Sequence, residues 1–551
     1  MSREKRPLSI DEFYSQLSEG HERVNKNGLD SLPPGWALTT LDEVVKINPR
    51  QWNSPTSDED FVSFVPMADV EAGTGKMFAS QQRLWREVKK GYTPFQEGDL
   101  LFAKITPCME NGKCAIANGL VNSRGAGSTE FHVLRPSEAI QPVLLLHFLL
   151  RQSYRRDARM SMKGAAGQLR VPDSFLAATS LGLPPINEQK RIVTEIEKQF
   201  SRLDAAVTAL KRVQSNLKHY RNAVLRAACE GRLVPTEAEL ARQECRDYES
   251  ADVLLQRILS DRRNQWETEQ LAKLKVQGRL ALNDTWKSRY QEPISTDISG
   301  VSQLPEGWCW TSFGHLCGVQ GGFAFKSSDY VSTGIPLIRI SNLVKETVTI
   351  QQDTVCLPTS FLAKYKSFGL RKGDTLIAMS GATTGKTAVY KLDTPAILNQ
   401  RVGRFKITND SCSPAYVNIL VRLSTKQVME DAYGAAQPNI SPSQIEQMLV
   451  PLPPIAEQER IVLEVERRLS ILDETEATVA AGLKRAERLR QAILQHAFAG
   501  KLVPQDPTDE PASVLLERIR ADREGKQSVN APAKRKGGKR ASAEVYTPNL
   551  F

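Results

Sequence analysis

The segment LPPINEQKRIVTEIEKQFSRLDAAVTALKRVQSNLKHYRNAVLRAACEGRLVP at residues 183–235 determines the organisation of this chain, because it occurs twice. The second copy, LPPIAEQERIVLEVERRLSILDETEATVAAGLKRAERLRQAILQHAFAGKLVP, occupies residues 452–504 and begins 269 residues after the first. Each copy starts with two prolines, which are excluded from a helix interior, and ends with a glycine and a further proline. Such residues bracket a helix. The sequence therefore predicts two long helices of related sequence.

Apolar residues recur every seven positions inside both copies, which is the pattern of a coiled-coil seam. The predicted seam residues are Ile192, Ile196, Leu203, Leu210, Val213, Leu217 and Val224 in the first copy and Ile461, Val465, Leu472, Val479, Leu489 and Ile493 in the second. A helix of about 44 residues is about 65 Å long. Polar residues such as Arg468 and Thr475 interrupt the second seam. We therefore expect the two helices to pair with each other.

The remainder of the chain repeats as well. LPPGW at 32–36 returns as LPEGW at 304–308, and GDLLF at 98–102 returns as GDTLI at 373–377. Two shorter matches, NGK with TGK and GQLRV with AQPNI, follow in the same order. Short strand-like runs between glycine and proline turns, with one helical stretch near residues 143–156, predict an α+β head in front of each helix. The chain is therefore a tandem duplication of a head and a rod.

The predicted boundaries follow from these repeats. They are an N-terminal extension at 1–30, head 1 at 31–182, a first spacer helix at 183–235, a helical connector and linker at 236–303, head 2 at 304–451, a second spacer helix at 452–504, and a C-terminal helix (512–522) with a basic tail at 505–551. The heads differ far more than the rods. This difference predicts one scaffold that carries two specificities.

Composition narrows the class of protein. A chain of 551 residues is too long for one core, and its 25% charged and 40% hydrophobic residues are ordinary for a soluble globular protein. The net charge of +10 favours a polyanionic partner. Eight cysteines without a Cys-x-x-Cys pair, and no apolar run long enough to span a bilayer, predict a soluble, reduced, cytoplasmic protein.

One segment looks like a phosphate-binding loop. It reads SGATTGKT and occupies residues 380–387. That loop needs four residues between its glycines, so that backbone amides wrap the phosphates, but Gly381 and Gly385 enclose three. We therefore do not expect a nucleotide site in this chain.

A second segment imitates the acidic metal site of a nuclease. Asp173, Glu188 and Lys190 have the residue types that hold Mg²⁺ in such enzymes. However, Glu188 lies in a first helical turn, where an acid is favoured by the helix dipole alone, and Glu459 replaces Lys190 in the second repeat. No methyl-donor motif or nucleophilic triad is visible either. The sequence predicts neither a catalytic residue nor a metal site.

Nucleic-acid contact is the function that remains, because Asn, Gln, Arg, Lys and hydroxyl side chains on glycine-rich loops can bond base edges and phosphates. The candidates in head 1 are Lys104, Thr106, Asn111, Lys113, Arg124, Ser128, Gln168 and Arg170. The candidates in head 2 are Arg339, Asn342, Ser380, Thr383, Thr384, Lys386, Gln400, Arg401, Gln437 and Asn439. Lys113 and Lys386 are the strongest candidates, since a lysine occupies this equivalent position in both repeats.

The order and duplication of these motifs resemble the specificity (S) subunits of Type I restriction-modification systems. The two LPPxxEQxRIV openings, the RLVP and KLVP endings, ITPCMENGK at 105–113, GSTEFHVLR at 127–135 and MSGATTGK at 379–386 carry the resemblance. It implies an α+β fold with two target-recognition domains, separated by two long antiparallel coiled-coil helices in a pseudo-two-fold tandem repeat. Each domain reads half of a split double-stranded DNA target.

The resemblance also implies partners and cofactors. Two modification subunits, which bind S-adenosylmethionine and methylate adenine, would clasp this chain, and restriction and translocation subunits would add cleavage with ATP and Mg²⁺. The chain itself is then non-catalytic and holds no cofactor. Two alternatives stay open, a coiled-coil adaptor that does not read DNA sequence and a self-sufficient nuclease.

Overall fold

A computed structural model of the chain describes residues 32–50, 52, 56–165, 167–277, 284–293, 298, 300–344, 346–381, 383–407, 411–432 and 439–529. The chain forms two compact units. Unit 1 contains residues 1–210 and 481–551, and unit 2 contains residues 211–480. The predicted N-terminal extension and basic tail lie outside the described residues.

Head 1, in unit 1, is built from short strands and short helices. Its strands are β1 (Ala37–Thr40), β2 (Val45–Ile47), β3 (Phe61–Val65), β4 (Gln81–Leu84), β5 (Thr93–Gln96), β6 (Leu100–Ala103), β7 (Cys114–Ile116), β8 (Arg124–Gly127), β9 (Phe131–Pro136) and β10 (Ser180–Leu183). Its helices are α1 (Leu41–Val44), α2 (Trp85–Val88), α3 (Pro142–Leu150), α4 (Gln152–Ser161) and α5 (Asp173–Ala178). The predicted helix near 143–156 is thus two helices, because the backbone of Arg151 between them is extended.

The strands of head 1 form two four-stranded sheets, ordered β2-β9-β6-β7 and β4-β3-β8-β5, and a separate two-stranded ladder, β1-β10. The β3 and β8 strands run parallel, so Val65 and Gly127 end at the same edge. In the β1-β10 ladder Ala37 pairs with Leu183, which brings the first and last strands of the head together. The head therefore begins and ends at one place.

Head 2, in unit 2, has the same plan. Its strands are β11 (Cys309–Ser312), β12 (Gly318–Gly321), β13 (Ile335–Ile338), β14 (Leu343–Val344), β15 (Glu346–Val348), β16 (Cys356–Leu357), β17 (Gly369–Leu370), β18 (Thr375–Ala378), β19 (Thr387–Val389), β20 (Ala396–Leu398), β21 (Val402–Lys406) and β22 (Leu449–Leu452). The sheet orders β12-β21-β18-β19-β15-β14, β16-β13-β20-β17 and β11-β22 reproduce those of head 1, with β14 and β15 added. The structure therefore confirms the duplication of the heads.

The remaining helices are distributed between the two units, and only α6 and α13 among them have residues in both. They are α6 (Ile186–Cys229), α7 (Glu237–Glu244), α8 (Ala251–Val276), α9 (Phe313–Leu316), α10 (Phe361–Lys364), α11 (Pro414–Ala432), α12 (Pro442–Glu446), α13 (Ile455–Phe498) and α14 (Ala512–Val529). α6 and α13 are the two predicted spacer helices, each of 44 residues. The C-terminal helix α14 is longer than predicted. None of the described helices is long and apolar enough to cross a membrane.

Within unit 1 the start of α6 packs against the end of α13. Ile192 and Ile196 share an apolar cluster with Ile493. Asp204, farther along α6, forms an ion pair with Arg490, which lies earlier in α13. Contacts that move forward along one helix and backward along the other show that the two segments are antiparallel.

Within unit 2 the end of α6 packs against the start of α13. Val224 lies in a cluster with Ile461 and Val465, and Arg221 forms an ion pair with Asp473. This ion pair is the equivalent of Asp204–Arg490, one repeat along the chain. The structure thus confirms the predicted antiparallel pairing, although Val213 near the middle of α6 is 39% exposed and contributes little to the seam.

Candidate nucleic-acid interface

The repeated Glu-Gln pair at the start of each spacer helix fixes a head to that helix. In unit 1 the indole Nε1 of Trp36 donates a hydrogen bond to Oε1 of Glu188 at 3.0 Å. The side chain of Gln189 accepts from the backbone N–H of Gln141 at 2.9 Å and donates to the carbonyl of Ala139 at 2.8 Å. Both side chains are buried, so the motif is a structural clamp between the head and the spacer helix.

Unit 2 uses the same two residue types in the equivalent positions. Gln458 accepts from the backbone N–H of Ser413 at 3.0 Å, and its amide donates to the carbonyl of Pro453 at 2.9 Å. Glu457 accepts from the backbone N–H of Glu237 at 2.9 Å. Burial raises the pKa of both Glu188 and Glu457. Both acids therefore bind groups of the protein itself.

Three loop segments of head 1 meet at the edge where β3 and β8 end. We call residues 104–113, 128–130, 163–165 and 167–171 the loop junction of head 1. The backbone N–H of Lys104 donates to the carbonyl of Glu130 at 2.9 Å, and that of Val171 donates to the carbonyl of Lys104, also at 2.9 Å. The backbone N–H of Thr106 donates to the carbonyl of Leu169 at 3.0 Å. Segments far apart in sequence therefore form one surface, whose framework is made by the backbone.

The loop junction of head 1 contains most of the predicted contact residues. Asn111 and Gln168 are exposed, and Lys104 is half-buried. Arg170 forms a two-point ion pair with Glu130, with Nη2 to Oε1 at 2.8 Å and Nε to Oε2 at 2.9 Å. Hydrogen bonds from Arg170 hold the pKa of Glu130 below its usual range. This edge therefore presents several donors on a fixed frame.

Other candidates of head 1 serve the fold. Lys113 Nζ donates to the carbonyl of Met67 at 2.7 Å. Arg124 lies outside the loop junction, where it bonds Asp60 at 3.1 Å. The hydroxyl of Thr106 accepts from the backbone N–H of Leu169 and that of Ser128 accepts from the backbone N–H of Glu130, at 3.2 Å in both cases. These four side chains are occupied within the head.

Head 2 has an equivalent loop junction, formed in the described part of the chain by residues 379–381, 383–386, 399–401 and 439–440. The backbone N–H of Met379 donates to the carbonyl of Arg401 at 3.0 Å, and that of Ile440 donates to the carbonyl of Met379 at 2.9 Å. These bonds match those of head 1. They align Met379 with Lys104, Arg401 with Glu130 and Asn439 with Arg170.

The candidates of head 2 divide in the same way. Five of them have exposed or half-buried side chains at or beside the loop junction. These are Thr383, Lys386, Gln400, Arg401 and Asn439. Arg339 is also exposed, and it follows β13, which runs parallel to β20 and ends at the same edge. Gln437 lies outside the described residues.

Three candidates of head 2 are buried or half-buried. Thr384 is buried, and its hydroxyl donates to the carbonyl of Gly381 at 2.7 Å. This bond closes the turn that resembles a phosphate-binding loop. Asn342 is also buried, and its amide donates to Thr349 and Thr354, both at 3.1 Å. Ser380 is half-buried and pairs through its backbone with Asn439.

The described residues contain no group of three or more His, Cys, Asp or Glu side chains placed to hold a metal ion. Asp173 lies instead beside Asn48, whose amide donates to it at 3.0 Å. Sequence reasoning missed Glu130, because an acid is not an obvious DNA contact. Its equivalence with Arg401 becomes visible only when the backbone bonds of the two heads are aligned.

Comparisons with known proteins agree with this architecture. The model of the Type I restriction modification DNA specificity domain matches residues 33–216 and 305–484. The specificity subunit of the Type I restriction enzyme EcoAI of Escherichia coli is 29% identical over 514 residues, which cover 85% of this chain and 83% of that protein. The EcoEI specificity subunit of Escherichia coli is 28% identical over 501 residues, with the same two coverages of 85% and 83%.

A solved structure has the same fold. It comes from work on complex assembly and conformational transition of the type I R-M system, and it matches with a TM-score of 0.61 and 20% identity, over 86% of this chain and 100% of that chain. The two matches to the family model together cover more than half of the residues. This chain therefore belongs to the family of the Type I restriction modification DNA specificity domain and contains two copies of that domain.

Proposed function

We propose that this chain is the DNA specificity subunit of a Type I restriction-modification complex, in which each head reads one half of a bipartite target. The curated relatives that it matches are named specificity subunits of Type I restriction enzymes. The chain covers 83% of the length of each, so the comparison extends to nearly the whole protein.

One observation supports this proposal most directly. The loop junction occurs at the same edge of both heads on the same backbone bonds, yet its side chains differ, as where Glu130 is replaced by Arg401. A common frame with exchanged polar groups is what reading two different DNA half-sites requires, since base edges are distinguished by their donors and acceptors. Exposed cations at the same edge supply phosphate contacts that orient the head.

Catalysis, on this proposal, belongs to other subunits. Two modification subunits bind S-adenosylmethionine and methylate adenine, and restriction and translocation subunits use ATP and Mg²⁺. This chain contributes binding and placement on double-stranded DNA. The acids that resemble a nuclease site support this division, because Glu188 and Glu457 are buried and bonded to the protein itself.

Modified-base sequencing tests the proposal. DNA from cells that carry the modification subunits is compared with and without this chain. We expect a split motif, with methylated adenine in both halves, that disappears when the chain is removed. If the active modification subunits produce no motif that depends on the chain, the alternative of an adaptor gains support. Cleavage of DNA by the purified chain with Mg²⁺ alone would support the alternative of a nuclease.

A further inference from the structure

The loop junction of head 1 contains an ion pair at two positions that Arg401 and Asn439 occupy in head 2. Arg170 contacts Glu130 through Nε at 2.9 Å and Nη2 at 2.8 Å, and its Nη1 donates to the carbonyl of Gln168 at 3.2 Å. The guanidinium plane is thus fixed on one side by a carboxylate and at Nη1 by a backbone oxygen. Two contacts to one carboxylate define the orientation of an arginine more narrowly than a single contact does.

The bonds that orient Arg170 leave part of its donor set unused. An arginine side chain has five N–H groups. Two are used by Glu130 and one by Gln168, so one N–H remains on each Nη atom. The Arg170 side chain is 41% exposed. Two adjacent donors in one plane match the O6 and N7 acceptors that guanine presents in the major groove.

The ion pair is not needed to hold the loop junction together. Backbone hydrogen bonds already join its segments, since Lys104 bonds Glu130 and Val171, and Thr106 bonds Leu169. Within the third segment Arg170 bonds Lys163 at 2.9 and 3.0 Å. Head 2 forms the equivalent framework, with Arg401 and Asn439 where head 1 has Glu130 and Arg170. Partly exposed ion pairs also contribute little to stability. A role beyond stability explains the arrangement better.

We propose that Arg170, oriented by Glu130, reads a guanine in the half-site recognised by head 1. Arg170 is the residue that contacts the base, and Glu130 is a positioning residue that acts through it. In head 2 the carboxylate is replaced by Arg401, for which no described residue provides an ion-pair partner, and the arginine is replaced by Asn439. The two heads therefore present different donor sets from the same place. This inference rests on the proposed function.

The test uses the complete chain assembled with its modification subunits and reads the methylated motif by modified-base sequencing. We expect the head 1 half-site of the natural chain to contain a G·C pair. Arg170→Gln should lower the preference for guanine at that one position roughly tenfold or more, since a bidentate contact to guanine discriminates strongly against the other bases. The other positions and the whole head 2 half-site should keep their sequence.

Two further variants separate reading from folding. Arg170→Lys keeps the positive charge but removes the planar pair of guanidinium donors. Glu130→Gln keeps the shape of the side chain but removes the negative charge that orients Arg170. Both should lower the preference for guanine at the same position by less than Arg170→Gln does. The matched control is Arg86→Gln, because Arg86 also pairs with a glutamate, Glu59, on the exposed surface of head 1. This control should leave the motif unchanged.

Several outcomes would overturn the inference. One is a natural motif without a G·C pair in either half-site. Another is an unchanged motif in an active complex that carries Arg170→Lys or Glu130→Gln, even if Arg170→Gln fails to assemble. A third is a loss of base preference in both half-sites at once. If the natural chain yields no split motif at all, the proposed function fails rather than this inference.

Discussion

Single side chains that join a head to its spacer helix decide much of this structure. Trp36 and Glu188, which are 152 positions apart, meet in a buried hydrogen bond of 3.0 Å. The motifs LPPGW and LPPINEQ supply these residues, and in unit 2 the acid equivalent to Glu188, Glu457, accepts from the backbone N–H of Glu237. A carboxylate removed from water is costly unless a donor satisfies it. The clamp therefore depends on the indole N–H.

We predict that Trp36→Phe destabilises unit 1. The phenyl ring keeps much of the apolar contact but removes the donor to Glu188, whose pKa burial already raises. Loss of a partner for a buried polar group costs about 1–3 kcal/mol of unfolding free energy. Calorimetry should show a lower unfolding temperature. Trp310→Phe, which removes a donor to the carbonyl of Ser302 in a more exposed place, is the control, and an equal effect of both changes would contradict the prediction.

A buried histidine gives unit 1 a pH dependence. His147 on α3 packs edge to face on Phe200 of α6, with ring centres 5.4 Å apart. Burial, with a smaller contribution from the cation of Arg490, lowers the pKa of His147 to about 4. The unfolded chain therefore binds this proton more readily than the folded chain between that value and about 6.5. Its contribution to stability is complete above pH 6.5 and is lost as the pH falls towards 4.

We therefore predict that His147→Met removes part of the acid sensitivity of unit 1. Between pH 7 and pH 4 the natural chain should lose about 3 kcal/mol more unfolding free energy than the variant loses. Thermal unfolding across that range measures it. A difference that does not vary with pH would refute the role assigned to His147.

At the scale of elements, the heptad pattern describes the two long helices well near their ends and less well in the middle of α6. Ile192 and Ile196 are buried at the start of α6 and Val224 is buried near its end, whereas Val213 is 39% exposed. The ion pairs Asp204–Arg490 and Arg221–Asp473 lie nearer the middle of the helices. Asp204 and Arg221 thus lie on either side of Val213, while Val479 of α13 is buried.

The uneven seam leads to a prediction for two substitutions. Ile196→Ala should cost about 2–5 kcal/mol of unfolding free energy, because Ile196 is completely buried and its removal leaves a cavity. Val213→Ala, in the same helix, should cost less than about 0.5 kcal/mol. Chemical denaturation followed by circular dichroism compares the two. Equal costs would show that burial does not govern the stability of this helix.

At the scale of the whole molecule, each unit is assembled from separate parts of the chain. Head 1 is completed by the end of α13 and by α14, and head 2 is completed by the end of α6 and by α8. The backbone N–H of Ala512 donates to the carbonyl of Gly35 at 2.9 Å, and that of Ala251 donates to Gly307 at 2.8 Å. The connector and the C-terminal helix are therefore equivalent parts of one repeated design.

We predict that a head can be exchanged as a module. Because β1 and β10 are paired, residues 32–182 begin and end at one place and can be replaced without extending any connection. Replacement by the head of a relative should change one half-site of the methylated motif and leave the other intact. Modified-base sequencing reads both halves in one experiment. A change in both halves would mean that the heads do not read DNA independently.

We also predict that the spacer helices set the unread gap of the target. Deletion of one heptad from each helix, residues 204–210 and 482–488, keeps the seam in register and shortens each helix by about 10 Å. The gap should shrink by up to about three base pairs, at about 3.4 Å each, while both half-sites keep their sequence. Removal of 204–210 alone breaks the seam register and serves as the control. An altered half-site would contradict the prediction.

The sequence by itself determined the helices, the two heads and the duplication, because these follow from local periodicity, from glycine and proline positions, and from repeated motifs. Most of its contact candidates lie at or beside the loop junctions in the structure. It ranked Lys113 among the strongest candidates because a lysine recurs there after duplication, and a lysine can also recur for the fold. Its amine bonds the carbonyl of Met67.

Only the tertiary structure decided which side chains act together. Glu130 and Arg170 are 40 positions apart, and nothing in local sequence indicates that they meet. Their contact depends on the register of three loops joined by backbone bonds, which no periodicity encodes. The equivalence of Glu130 with Arg401, and therefore the difference between the two loop junctions, has the same origin. The helices could be predicted because they follow local rules, whereas the loop junctions depend on long-range backbone register.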